Sequence, residues 1–212
     1  MEPRFFKIPT SVGDVSLRVA KGHFATRNSH TNYFVDVTSQ QSCIRDAEAA
    51  AQQLSQRLTQ HLMVDTILCM DGTRVIGTCL AQKLTQGGFR SINAGREIYV
   101  LREHLGTNGK LIFRDNARPM LEGKNILLLL ASVTTGGTVR KGIECIEYYN
   151  GSVVGIAAIY SHLKEIDGVA ITSLFDTNDL PGYASYLPEE CPMCRDKQEL
   201  DAVVDKFGYS AL

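Results

Sequence analysis

The chain has 212 residues, 44% of them hydrophobic, which is enough for one large α/β domain with a substantial core. Its formal net charge of −1 gives no overall field that would favour nucleic acid or an anionic membrane as partner. The longest apolar runs, 126–131 and 153–160, are far shorter than the roughly 20 residues of a membrane helix, and no signal-peptide block follows Met1, so we expect a cytoplasmic protein.

The first 40 residues are predicted to be rich in β-structure. Val15, Leu17 and Val19 alternate with polar residues, and a second alternating stretch covers 33–37. Between these stretches, the polar segment 21–30 carries two histidines and two cations. It predicts either an ordinary connection, which is the simpler interpretation, or a hood that faces a substrate.

Residues 43–62 give the clearest helical pattern of the sequence. Apolar residues recur there every three or four positions, from Ile44 to Leu62. A buried strand is predicted at 65–69, followed by a loop and a second helix that ends at Gly87-Gly88. The loop contains Asp71, Gly72, Thr73 and Arg74, so it combines a turn, a helix start and a cation.

Two further strands are predicted, at 91–93 and 98–101, and a long connection, 102–119, comes after them. Long polar loops within compact domains are usually lids or disordered. This one contains several cations, among them Arg102 and Lys110, as a lid over an anionic ligand would need. A solvated basic loop is the alternative.

The segment 124–138 has the pattern of an anion-binding strand, loop and helix start. An apolar run at 126–130 predicts a strand buried on both faces, and the helical spacing resumes at Val139. Between them lie hydroxyls and glycines, namely Thr134, Thr135, Gly136, Gly137 and Thr138. Free amides at a helix start favour a phosphate there. Because the loops after neighbouring parallel strands meet at one edge of a sheet, 71–74 and 134–138 should share a crevice.

Strands at 152–160 and 169–175 complete an alternation of strands and helices, which predicts an α/β fold with a mainly parallel twisted sheet flanked by helices. A short helix is predicted in the tail from Leu200 to Phe207. We expect a single domain over 1–212, with a small β-rich N-terminal hood (1–40), an α/β core (43–180) and a C-terminal tail (181–212).

The six cysteines fall into two groups. Four lie in apolar or helical surroundings and are most simply small buried hydrophobes. Cys191 and Cys194 have the spacing of half a zinc site or of a redox pair. A closed zinc site usually needs four ligands, and no second Cys-x-x-Cys exists, so we expect a structural turn without metal.

With these elements in place, the chain resembles the phosphoribosyltransferase family, and within it the orotate phosphoribosyltransferases. The segment 134–138 matches the end of the family fingerprint, whose loop holds the 5′-phosphate of phosphoribosyl pyrophosphate. Residues 71–74 fall where the family binds pyrophosphate, 22–33 is similar to the hood of the orotate enzymes, and Arg102 stands where their mobile lid begins.

Two departures from the family pattern concern catalysis. The acidic pair that precedes the loop, which holds the ribose hydroxyls in the family, is replaced by Leu130 and Ala131. The catalytic lysine at the start of the lid is also missing, and Lys110 is the substitute that we consider. Asp71, Glu97, Glu103 and Asp176 are alternative carboxylates in or near predicted loops.

The resemblance implies a glycosyltransferase that moves phosphoribose from its pyrophosphate donor to a pyrimidine base. It implies Mg²⁺ bound through the pyrophosphate, Arg102 and Lys110 as catalytic residues, and a homodimer. A catalytically silent relative that senses a nucleotide or phosphoribosyl pyrophosphate is the alternative, because the acidic pair is missing.

Overall fold

The computed structural model describes residues 3–10, 15–27, 29–58, 62–86, 91–106, 109–205 and 208–212. The strands, in chain order, are β1 (Phe5–Pro9), β2 (Ser16–Ala25), β3 (His30–Asp36), β4 (Thr66–Cys69), β5 (Tyr99–Arg102), β6 (Asn125–Val133), β7 (Ser152–Ser161), β8 (Glu165–Ile166), β9 (Val169–Phe175), β10 (Ser185–Tyr186), β11 (Ala202–Asp205) and β12 (Gly208–Ala211). The helices are α1 (Thr38–Ser42), α2 (Ile44–Arg57), α3 (Arg74–Thr85), α4 (Gly137–Tyr148) and α5 (Pro192–Arg195), with 3₁₀ turns at Arg118–Met120 and Pro188–Glu190.

One of the two six-stranded sheets is mainly parallel, and we call it the core sheet. Its order is β5-β4-β6-β7-β9-β8, and only β8 pairs antiparallel. The central strand β6 is buried along most of its length, as expected of a strand covered on both faces. This confirms the predicted fold class.

Successive residues of β6 enter different cores. Leu127, Leu129 and Ala131 pack in a cluster with residues of α2 and α3. Leu128 and Leu130 pack on the opposite face, in a cluster with residues of α4. The alternation follows from the two-residue period of a strand. No helix in the described part of the chain combines the length and the apolar character needed to cross a membrane.

The second sheet, which we call the hood sheet, is built from both ends of the chain. Its order is β10-β3-β2-β11-β12, and β1 pairs with β2. The predicted β-rich N-terminal region is therefore confirmed. The predicted tail helix is wrong: β11 and β12 form an antiparallel hairpin, and β11 extends the sheet beside β2. Phe207 lies outside the described residues.

Three other local predictions differ from the structure. Residues 21–25 continue β2, so the predicted polar loop shrinks to 26–29. Helix α2 ends at Arg57, and Ile44 is 60% exposed rather than inward. Residues 91–93 form a turn instead of a strand, because the Asn93 amide group bonds to the backbone at positions 62 and 64. The predicted helix end at Gly87-Gly88 lies outside the described residues.

Candidate functional site

A cleft of about 490 Å³ lies at the carboxyl end of the core sheet, between that sheet and the hood sheet. The end of β6 contributes Ala131 and Ser132 to its wall, and β3 contributes a stretch of the opposite wall. Residues of the loops that follow β4, β5 and β6 also line it. The predicted crevice thus exists where parallel α/β sheets generally bind ligands.

The loop between β6 and α4 presents the predicted phosphate-binding residues to this cleft. Thr134, Thr135 and Thr138 line it. Gly136 has φ = +80° and is the N-cap of α4, which has no side-chain cap hydrogen bond. The first amides of a helix lack intrahelical acceptors, so those after Gly136 are available to a ligand. A Cβ on Gly136 would lie 2.7 Å from Ile166 Cδ1, so only glycine fits this turn.

The loop after β4 brings one of its four predicted residues into the cleft. Asp71 lines the cleft, with φ = +51°. Thr73 is fully buried, and its hydroxyl donates to the carbonyls of Met70 and Leu129 at 2.8 and 3.0 Å. That side chain therefore ties β4 to β6. Gly72 and Arg74 are exposed and are not among the residues that line the cleft.

The two sides of the predicted lid pair at Leu105 and Leu111. Both of these residues line the cleft, as do Glu103 and Gly109. The two predicted catalytic residues, Arg102 and Lys110, are exposed and do not line it in this arrangement. The second side of the lid is held to the C-terminal end of α4, because the Tyr149 hydroxyl forms hydrogen bonds with the Phe113 amide and carbonyl at 2.9 and 3.0 Å.

Among the residues that the structure describes, two cations line the cleft, and neither was singled out as a site residue from the sequence. Lys141 lies on α4 within one turn of the phosphate loop, and Arg27 lies in the turn between β2 and β3. Helical spacing could have identified Lys141, because it lies three residues after Thr138 on the predicted helix. The neighbouring Arg140 forms an ion pair with Asp167 at 3.4 Å and is not a lining residue.

Two tyrosines with buried hydroxyl groups also line the cleft. Burial, together with the nearby Tyr183 and two aspartates, raises the pKa of Tyr160. Burial raises the pKa of Tyr183 to about 12, against the opposing effect of a hydrogen bond with the Thr134 side chain. Both groups are thus neutral hydrogen-bond donors near pH 7. The Tyr160 hydroxyl has no hydrogen-bond partner among the described residues.

The positions of the missing acidic pair differ in orientation. Ala131 lines the cleft, whereas Leu130 is fully buried in the cluster beside α4. Of the two residues at these positions, Ala131 alone therefore faces the cleft. Of the alternative carboxylates, Asp71 and Glu103 line the cleft, Asp176 lines a separate cavity of about 350 Å³, and Glu97 is exposed elsewhere.

A second group of polar side chains joins strands β2 and β3 of the hood sheet to the C-terminal tail. His23, His30, Cys191 and Cys194 each place a ligand atom within 4.8 Å of the others. Burial and the nearby His23 lower the pKa of His30. The expectation that the cysteine pair binds no metal depended on counting two ligands, and the structure adds two histidines. Neither histidine belongs to a Cys-x-x-Cys pattern, so the cysteine spacing in the sequence does not indicate them.

Known proteins resemble the chain in sequence, although no family model matches it. An orotate phosphoribosyltransferase of Thermoanaerobacter sp. is 25% identical over 185 residues, which cover 84% of this chain and 86% of that protein. The orotate phosphoribosyltransferase of Caldicellulosiruptor bescii is 29% identical over 149 residues, or 69% and 70% of the two chains. Over most of its length, the chain is thus similar in sequence to orotate phosphoribosyltransferases.

A solved structure shows the same fold. The crystal structure of the Mycobacterium tuberculosis orotate phosphoribosyltransferase matches with a TM-score of 0.52 and 16% identity, covering 78% of this chain and 93% of that one. The loop 134–138 at the start of α4, on which the resemblance to the family fingerprint rests, also forms part of the wall of the cleft.

Proposed function

We propose that the chain binds phosphoribosyl pyrophosphate in the cleft and transfers its phosphoribosyl group to a pyrimidine base, with orotate as the first candidate. The observation that carries the proposal is the loop at 134–138, which lines the cleft with three hydroxyls and the free amides of α4. The names of the curated relatives support orotate as the base.

In this proposal the 5′-phosphate binds at this loop, because three kinds of group converge there. The amides after Gly136 point along the helix axis toward the loop, and the positive end of the helix dipole favours an anion. The hydroxyls of Thr134, Thr135 and Thr138 can donate to phosphate oxygens. Lys141 adds a positive charge on the first turns of the same helix.

In the same proposal the base binds against the hood, beside aromatic rings. Tyr33 and Tyr183 both line the cleft and stack with their ring centroids 6.4 Å apart. The buried Tyr160 hydroxyl, which lacks a partner among the described residues, can donate to an oxygen of the ligand. A planar base with carbonyl or carboxylate oxygens fits this combination of ring faces and donors.

The residues of the cleft are compatible with Mg²⁺ that is held mainly by the ligand's pyrophosphate. Mg²⁺ in such sites usually takes one or two protein carboxylates together with phosphates and water. Asp71 and Glu103 are the carboxylates of the two loops that line the cleft, and they would supply these oxygens. The ion, when bound, neutralises the negative charge that collects on the departing pyrophosphate.

In the transfer itself, a ring nitrogen of the base forms a bond to the ribose C1 while the bond from C1 to the pyrophosphate oxygen breaks. The electron pair of that bond leaves with pyrophosphate, and positive charge grows on the sugar. The chain holds the two reactants in line, with the phosphate end fixed at 134–138 and the base end at the hood. Asp71 and Glu103, which line the cleft, would be the carboxylates available to stabilise the sugar's positive charge.

A second candidate is a silent relative that binds the same ligand as a sensor. One observation favours it: Ala131 faces the cleft where the family has a carboxylate. The loss of one charged hydrogen bond, worth about 1.5–3 kcal/mol, would slow the transfer by some 10–10²-fold if it acted on the transition state. For both candidate functions, we propose a homodimer and a cytoplasmic location.

The experiment is a pyrophosphate-release assay with phosphoribosyl pyrophosphate, Mg²⁺ and orotate, together with a titration of phosphoribosyl pyrophosphate by calorimetry. Release that requires the base supports the transferase. Binding without release over a panel of pyrimidine and purine bases supports the sensor. Absence of binding contradicts both. Sedimentation at micromolar concentration tests the homodimer, and a monomer would contradict it.

A further inference from the structure

The group formed by His23, His30, Cys191 and Cys194 has the dimensions of a metal site. His23 Nε2 lies 3.1 Å from His30 Nδ1, 3.5 Å from Cys191 Sγ and 3.6 Å from Cys194 Sγ. Cys194 Sγ lies 3.2 Å from His30 Nδ1. All four atoms are within 4.8 Å of one another, so they surround one point.

These separations can be compared with those around a tetrahedral zinc ion. With Zn–N of about 2.05 Å and Zn–S of about 2.3 Å, two nitrogens lie about 3.3 Å apart, and a nitrogen and a sulfur about 3.6 Å apart. The observed separations are 3.1 Å for the two nitrogens and between 3.2 and 3.6 Å for three nitrogen–sulfur pairs. Each of these four separations is within about 0.4 Å of the tetrahedral value.

We propose that this chain holds one structural Zn²⁺ with two histidines and two cysteines as ligands. Thiolate and imidazole are ligands that suit zinc and disfavour magnesium or calcium. Four protein ligands close a tetrahedral site and leave no position for a reacting water, which is the arrangement of structural zinc.

The surroundings orient the ligand atoms as a metal would need. His23 is fully buried, and its Nδ1 lies 2.9 Å from the carbonyl oxygen of Gln198. A proton on Nδ1 would donate to that oxygen and leave the lone pair of Nε2 directed at the centre of the group. A hydrogen bond of this kind to the second ring nitrogen usually fixes the orientation of a zinc-bound histidine.

A redox-active cysteine pair is the other use of a Cys-x-x-Cys segment. Both thiols are free in the structure, Cys191 being buried and Cys194 exposed. A disulfide between these two residues would leave the converging nitrogens of His23 and His30 without a role. Zinc uses all four groups, and therefore accounts for more of the arrangement.

The ion would join two neighbouring strands of the hood sheet to the tail of the chain. His23 belongs to β2 and His30 begins β3, whereas Cys191 is the N-cap of the short helix α5 and Cys194 lies within it. The turn between the two histidines, 26–29, places Thr26 and Arg27 on the wall of the cleft. Zinc would thus fix the hood end of the cleft and anchor the tail to it.

The test is the metal content of the full chain, purified without a polyhistidine tag from cells supplied with zinc, and measured by plasma mass spectrometry. We expect about one zinc per chain. Cys194→Ser should retain less than about a fifth of it, because a three-ligand site binds far more weakly. Cys43→Ser is the matched control, since Cys43 is a partly exposed free cysteine outside the group, and it should keep the full zinc content.

A second measurement does not depend on a folded variant. Replacement of the zinc in the wild-type chain by Co²⁺ should give intense visible bands of a tetrahedral centre and a thiolate-to-cobalt charge-transfer band. Removal of the metal by a chelator should lower the wild-type Tm by at least about 5 °C. Less than about a tenth of a zinc per chain, a Cys191–Cys194 disulfide in the purified protein, or full zinc content in Cys194→Ser would overturn the proposal.

Discussion

At the scale of single residues, the cleft differs most from the family pattern at Ala131. This side chain faces the ligand space from the end of β6, and the carboxylate that holds a ribose hydroxyl in the family is absent there. The neighbouring Leu130 belongs to the core beside α4. The sequence showed that two carboxylates are missing, but only the strand's alternation shows that one of the two positions can contact a ligand.

The first prediction concerns ribose recognition. Because no charged hydrogen bond is available at Ala131, ribose 5-phosphate and 2-deoxyribose 5-phosphate should bind the wild type with affinities within about fivefold, or about 1 kcal/mol. Ala131→Asp should widen the gap to more than about tenfold, and Ala131→Asn is the uncharged control. Calorimetry measures both affinities. A strong preference of the wild type for the 2-hydroxyl would show that Asp71 or Glu103 already holds it.

The second prediction separates the two positions by stability. Leu130→Glu places a carboxylate in a fully buried apolar cluster, and it should lower the free energy of unfolding by about 3 kcal/mol or more. Ala131→Asp, at the edge of the cleft, should cost less than about 1.5 kcal/mol. Urea denaturation followed by circular dichroism measures both losses. Equal losses would contradict the assigned orientations of these side chains.

At the scale of elements, the unit of β6, the glycine turn and α4 could be predicted because each of its signals is local. A buried apolar run, two glycines and a helical spacing follow one another without a gap. The predictions failed where tertiary pairing overrides local pattern. Residues 21–25 are polar in part but extend β2 because β3 and β11 pair with it on both sides.

The third prediction concerns the start of β4, where Asp65 joins two strands. Its carboxylate accepts bonds from the Asn125 amide at 2.9 Å, the Asn125 side chain at 3.0 Å and Arg96 at 2.8 Å. Burial alone would raise the pKa of Asp65, but these bonds and the Arg96 charge outweigh it and lower the pKa. A lowered pKa means that this stabilisation is present above the ordinary aspartate value of about 3.9 and is lost as the pH falls through the folded value.

Asp65→Asn should therefore unfold at lower urea concentration than the wild type near pH 7, and the difference should shrink as the pH falls below about 4. Asp46→Asn is the control, because its carboxylate pairs at 3.4 Å with Arg45, whose side chain is 88% exposed, and such pairs contribute little. Urea midpoints at several pH values measure the effect. A difference between Asp65→Asn and wild type that does not change with pH would contradict the assigned role.

At the scale of the whole molecule, the cleft exists because two sheets meet at the carboxyl ends of the core strands. The hood sheet needs residues from both chain ends: Phe24 of β2 pairs with Ala202 of β11, and β10 pairs with β3. Contacts between residues so far apart in sequence leave no periodic signal. For this reason, the contribution of Tyr183 to the cleft, and the meeting of His23 with Cys191, could not be predicted from the sequence.

The overall charge also explains why one cation should matter at the phosphate loop. The net charge is −1, and the described residues that line the cleft include four carboxylates and two cations, so the loop's own groups are needed to attract the ligand. Of the two adjacent cations of α4, Lys141 lines the cleft and Arg140 pairs with Asp167 outside it. Replacing either residue by glutamine lowers the net charge by one. A difference in affinity between the two variants therefore reports the position of the cation and not the change in net charge.

The most direct test of a 5′-phosphate site at 134–138 is therefore a calorimetric titration of wild type, Lys141→Gln and Arg140→Gln with phosphoribosyl pyrophosphate and Mg²⁺. The wild type should bind one ligand per chain. Lys141→Gln should weaken binding by at least about fivefold, or about 1 kcal/mol, whereas Arg140→Gln should change it by less than about twofold. No binding to the wild type, or equal effects of the two substitutions, would contradict a 5′-phosphate site at 134–138.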